Sequence, residues 1–140
     1  MNENLKDTKL FFPLRIALGL MFLSAGIGKL TTLMVGSLVV PEFFASLGIP
    51  FPEFFAWVVA IAETIGGVFL VIGLLTWWSS FILANIMVVA GFLTGVIPIS
   101  DFEIGRILEH AVYITALLAI MWSKNTYLAI DEKIDWKQPY

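Results

Sequence analysis

The sequence predicts an all-α fold: an integral membrane four-helix bundle with both termini cytoplasmic and a short interfacial helix in its first loop. Three observations point there. Of 140 residues, 59% are apolar and 14% charged, against about 45–50% and about 25% in soluble domains. The mean hydropathy of +0.93 is more hydrocarbon than so small a domain can hide from water. Four stretches approach or reach the roughly 20 apolar residues that cross a bilayer core about 30 Å thick. The same composition excludes disorder. The eight Lys and Arg are scattered and the net charge is −3, so no basic face for nucleic acid exists. With no cysteine, disulfides, thiolate metal sites and CxxC redox chemistry are excluded together.

The first span runs from about Leu10 to Leu30, the second from Phe54 to Leu75, the third from Trp78 to Ile97 and the fourth from Ile107 to Trp122. They leave only short loops and a tail, 123–140, so residues 1–140 read as one membrane domain. The first span is longer than the apolar region of a cleavable signal peptide and contains Arg15, so it is expected to stay. Between the first two spans, Pro41 is placed to open a short helix over Glu42–Leu47 that ends at Gly48, a residue suited to a left-handed cap. Phe43 and Phe44 on that element suit the interface, as a packed connector or as a lid. Pro50 and Pro52 are expected to make an extended entry into the second span. Trp57, Trp77, Trp78, Trp122 and Trp136 fall near span ends or in the tail, the depth amphipathic aromatics favour. Lys6, Lys9 and Arg15, with Lys124, Lys133 and Lys137 of the tail, outnumber the basic residues at the opposite ends of the spans. The positive-inside rule therefore places both termini in the cytoplasm.

Charges within the spans follow helical spacing. Arg15, Gly19, Phe22, Gly26 and Lys29 form one stripe of the first span, and its glycines let another backbone approach. Ala56, Ala60, Glu63 and Gly67 form a matching stripe on the second. Glu63 lies about nine residues in, roughly 14 Å at helical rise, where an unpaired charge costs about 2.5–3.5 kcal/mol even on the lenient insertion scale. Antiparallel packing puts it within the joint reach of Lys29 and Arg15, so at least one ion pair is expected. The fourth span opens with Arg106, Glu109, His110 and Tyr113 on one face, and the third contributes Asn85 and a Gly91–Gly95 pair of GxxxG form, a packing device. Together these residues predict an apolar-walled pocket with Glu63 deepest and Lys29, Arg106, Glu109 and His110 nearer its mouth. The charges serve either as staples that fix helix register or as a site. One histidine without cysteine builds no conventional zinc or haem site.

Arg15, the Ser24–Leu30 ending with Gly26 and Lys29, Leu47-Gly48-Ile49-Pro50-Phe51-Pro52, Ala62-Glu63-Thr64-Ile65-Gly66-Gly67 and Gly73-Leu74-Leu75-Thr76 together resemble the DoxX family. The resemblance covers roughly Leu10 to Gly95, with Glu109 agreeing more loosely, and Trp77 replaces a residue that is often basic. It implies a four-helix protein of the bacterial or archaeal inner membrane. Such proteins include a subunit of a thiosulfate:quinone oxidoreductase and partners of thiol and superoxide defence enzymes. The family's polar residues carry over to Arg15, Lys29 and Glu63.

Three functions follow as expectations. The first is a redox-associated subunit with no intrinsic cofactor that binds a quinone or other small molecule, Glu63 carrying the proton. Its electrons would come from a soluble redox enzyme or a second membrane subunit. The second is a small proton-coupled transporter or permeability factor, which would favour a homo-oligomer. The third is a scaffold whose tail, Lys124–Tyr140, recruits soluble enzymes.

Overall fold

The computed structural model describes residues 3–95, 104–123 and 129–132, and the side chains of 11–94, 104–123 and 129–131. In chain order these are α1 (Glu3–Met34), α2 (Val39–Ser46), α3 (Pro52–Ile72), α4 (Thr76–Gly95), α5 (Ile104–Trp122) and a 3-10 turn at Ile130–Glu132. Four of them are long and apolar enough to cross a membrane: Phe11–Met34, Pro52–Ile72, Thr76–Thr94 and Ile104–Trp122. The fold is the expected all-α membrane bundle. Lys6 and Lys9 lie in α1, but their side chains are outside the described ones, and Ile97, Lys124, Lys133, Trp136 and Lys137 are outside the described residues.

Small residues decide the packing. On α1, Arg15, Gly19, Phe22 and Gly26 are all buried, and on α3 so are Ala56, Ala60, Glu63, Gly66 and Gly67. A Cβ on Gly67 would lie 2.5 Å from the Leu23 nitrogen and 2.8 Å from the Gly19 oxygen, and one on Gly26 would lie 3.0 Å from the Ala60 oxygen. The contacts step in opposite directions along the two helices, so α1 and α3 are antiparallel and nearly touch through their backbones. A similar approach joins α4 to α5, where a Cβ on Gly91 would lie 2.8 Å from that of His110. Gly91 is thus a packing residue, as its GxxxG setting suggests.

The apolar core is uneven along the bundle. Near the end that holds the N-terminal half of α1, one cluster draws on all four spans: Leu18 and Phe22, Leu70, Leu83 and Met87, Leu117 and Ile120. Near the opposite end the cluster is Leu33, Phe44, Ala56 and Ala60, from α1, α2 and α3 alone. We call these the tail end and the loop end. At the loop end α4 and α5 therefore stand away from the rest.

Element boundaries differ from the sequence expectations for identifiable reasons. Helix α1 continues to Met34, its last turn helped by Thr31 and Thr32, whose hydroxyls donate to the Gly28 carbonyl at 2.9 and 2.8 Å. Helix α2 starts at Val39, and Pro41 is its third residue rather than its first; a first-turn proline loses no helical hydrogen bond. Its end follows the glycine rule. Gly48 has φ +76, its N–H donates to the Ala45 carbonyl at 2.9 Å, and that of Ile49 donates to Phe44 at 3.1 Å, a Schellman pattern. The extended entry expected at Pro50–Pro52 is replaced by a left-handed one, with Phe51 at φ 50 and ψ 55. A proline disfavours only the right-handed helical region of the preceding residue, and the short link between α2 and α3 requires a reversal. Helix α3 starts at Pro52 and ends before left-handed Gly73.

Replacing Gly67 by Leu should separate α1 from α3 and cost about 1–3 kcal/mol of stability, the usual penalty of overpacking. Gly28→Ala, where nothing lies within 4 Å of the added carbon, should leave thermal melting in detergent unchanged or a few degrees higher, since alanine is favoured over glycine by about 1 kcal/mol within a helix.

Candidate functional site

Where the backbones of α1 and α3 run closest, the stripe on α1 ends in Lys29 and the one on α3 carries Glu63. Their side chains meet. Lys29 Nζ donates to Glu63 Oε2 at 2.5 Å, across 34 residues of sequence. Glu63 is 3% exposed, while the Lys29 side chain keeps 28%. The asymmetry sets their roles: the lysine stem lies along apolar surface with its ammonium toward an open space, and the carboxylate is anchored in the wall.

That space is a cavity of about 840 Å³, within the range of small-molecule sites. It occupies the loop end, where the four-span core gives out. Lys29, Glu63, Asn85, Arg106, Glu109 and His110 all line it. Six of the seven residues that the sequence singles out thus share one chamber. Most of the remaining wall is apolar, and Phe43 and Phe44 of α2, with Leu47 just after it, contribute to it. The sequence marks α2 by Pro41, Gly48 and its paired aromatics, as a packed connector or a lid. The helix is both connector and wall: Phe44 is buried with Ala56 and Ala60 and also faces the chamber.

The α5 side of the chamber is a polar face held by its own backbone. His110 Nδ1 lies 2.7 Å from the Arg106 carbonyl oxygen. A carbonyl only accepts, so Nδ1 carries the proton, and in the neutral ring Nε2 is the acceptor. Tyr113 donates its hydroxyl to Glu109 Oε1 at 3.1 Å. On α4, Asn85 Nδ2 donates to the Phe81 carbonyl at 2.8 Å. Among the described residues no three His, Asp or Glu side chains converge as metal ligands. The arrangement offers an ammonium donor, a deep carboxyl and an imidazole around an apolar volume. Such a chamber can hold an uncharged molecule by hydrogen bonds and exchange a proton with it.

Arg15 does not belong to it. Although on the same stripe as Lys29, it lies fourteen positions earlier, about 21 Å along the axis, and is 0% exposed at the tail end. Its guanidinium lies 5.5 Å from the Phe12 ring centroid. A Cβ on Gly73 would lie 2.6 Å from its Nη1 and equally close to Ala129. Asp131 exerts an electrostatic attraction on it. Asp131 is also the cap of α4: its two carboxylate oxygens accept from the Leu75 and Thr76 amides at 2.7 and 2.9 Å, across more than 50 residues, and its own N–H donates to the Gly73 carbonyl at 3.0 Å. An acid there complements both the helix dipole and the buried cation. No local sequence motif marks Asp131, because the helix it caps lies more than 50 residues earlier in the chain.

Asp131→Ala should cost roughly 1–3 kcal/mol, the loss of charge-assisted hydrogen bonds at a partly buried cap. Hydrogen exchange of the Leu75 and Thr76 amides should accelerate selectively, with Asp131→Asn intermediate. Unchanged exchange at both amides would show that the cap does not hold in the membrane.

Residues 10–95 match the DoxX family model. The match takes in α2, α3, Lys29, Glu63 and Asn85, whereas Arg106, Glu109 and His110 lie beyond it. No curated protein and no solved structure matches the chain. The matched region is more than half of the 140 residues and contains three of the four apolar spans, so the chain is a multi-pass membrane protein of the DoxX family.

Proposed function

We propose that this protein is a redox-associated membrane subunit that binds a quinone, or a small molecule of similar polarity, in the loop-end chamber. The observation that carries the reading is the Lys29–Glu63 pair, set deep in an apolar-walled cavity of about 840 Å³. Quinone ring oxygens are hydrogen-bond acceptors on an otherwise apolar body, and the Lys29 ammonium has N–H groups beyond the one given to Glu63. Reduction of a quinone to the quinol takes two electrons and two protons. A partner redox enzyme, soluble or membrane-bound, supplies the electrons. The two protons come from water at the mouth of the chamber; Glu63, a carboxylate while it pairs with Lys29, takes up one of them and passes it to a ring oxygen, and Lys29 stabilises the carboxylate that re-forms. In this reading the protein sits in the inner membrane of a bacterium or archaeon with both termini in the cytoplasm, and the chamber faces the opposite side.

Binding of a short-tailed benzoquinone to the protein in lipid nanodiscs, followed by tryptophan quenching, tests the reading. Glu63→Gln keeps the shape and removes the charge, and Lys29→Met removes the donor. Each should weaken binding at least tenfold while the protein still melts cooperatively. Wild-type affinity in both variants would overturn the reading.

A further inference from the structure

Accepting the chamber as a quinone-type site, the geometry points to where its ligand comes from: we infer that the chamber is filled sideways, from the hydrocarbon of the bilayer, through a gap between α3 and α4. The inference rests on the preceding reading of the site and adds the class of ligand, an uncharged hydrogen-bonding head on an apolar tail.

The side chains of Phe55 and Val58 on α3, and of Asn85 and Val89 on α4, all line the cavity. The same residues stay exposed rather than being covered by a neighbouring helix, Val58 at 43% and Val89 at 56%. Lining side chains left this accessible mark where the chamber is open rather than walled. Val58 and Val89 each lie about six residues, roughly 9 Å, from the loop end of their helices, and Asn85 about 15 Å. The opening therefore reaches from near the interface to mid-membrane, at a depth where lipid, not water, is the surrounding medium. The packing accounts for the gap: at this level the core cluster joins α1, α2 and α3 only, while α4 and α5 are held to each other at Gly91 and His110.

The floor selects the head group. The formal charges that line the chamber balance, Lys29 and Arg106 against Glu63 and Glu109, so a charged head would bring an uncompensated charge into hydrocarbon or break a pair, and either is costly. An uncharged carbonyl or hydroxyl head needs neither. Its tail lies in the gap against Phe55, Val58 and Val89 and continues into the bilayer.

The test compares, in nanodiscs and at equal mole fraction in the lipid, a benzoquinone with a ten-carbon tail, its tail-less counterpart, and a ten-carbon fatty acid as competitor. Val58→Trp and Val89→Trp narrow the gap, with Val58→Phe and Val89→Phe as smaller versions. Val68→Trp, on the exposed side of α3 and away from the cavity, controls for bulk. The tailed quinone should bind at least tenfold more tightly than the tail-less one, the fatty acid should not displace it, and the gap variants should slow its association at least tenfold, Val68→Trp leaving it unchanged. Glu63-dependent binding of both quinones with equal affinity, association at wild-type rate in the gap variants, or displacement by the fatty acid would overturn lateral entry or the uncharged head while leaving the chamber as the site. Failure of both quinones to bind would remove the site and this inference together.

Discussion

A carboxylate at mid-membrane depth must meet a counter-charge or give up its own charge, and in this chain Glu63 meets Lys29. Two structural conditions make that contact feasible. Glycine and alanine stripes bring α1 and α3 close enough for side chains to span the interface, with Gly19 against Gly67 and Gly26 against Ala60. The antiparallel register then sets the end of one stripe beside the middle of the other. A side chain inserted at Gly67 would therefore disturb more than local packing, because it would move the lysine away from the acid.

The two ends of the bundle answer the burial of charge differently. At the loop end a pair formed between adjacent helices leaves room beside it, since α4 and α5 do not close over it, and the result is a chamber. At the tail end Arg15 is packed without space, among Phe12, Gly73 and Ala129, with Asp131 returning from beyond α5 to cap α4 nearby. One cation of the α1 stripe lines the chamber; the other is packed beside the cap of α4. Arg15 therefore stands apart from the chamber that Lys29 lines, although the two share a stripe.

Much of this was legible in the sequence because it is periodic. The spans follow from apolar length, the buried faces of α1 and α3 from the spacing of small residues, and the shared chamber from the depth of Glu63, Lys29 and the polar start of α5. What escaped is set by contacts distant along the chain or by backbone choices that side-chain identity does not determine. Asp131 caps a helix more than 50 residues away. Arg15 and Lys29 share a face, yet helical rise places them too far apart to share a partner. Phe51 turns left-handed because the proline rule excludes one region of backbone space without choosing among the others. The lateral opening depends on how far α4 stands from α3, which no residue in either helix announces.

The most direct measurement is a double-mutant cycle on the pair, with Lys29→Met, Glu63→Leu and the combined variant compared by unfolding free energy in lipid bicelles. Interacting charges predict that the combined loss falls short of the two separate losses together, with a coupling of about 1–3 kcal/mol between the positions. Losses that add to within about 0.5 kcal/mol would mean that lysine and glutamate ignore each other in the membrane, and would contradict the contact on which the chamber depends.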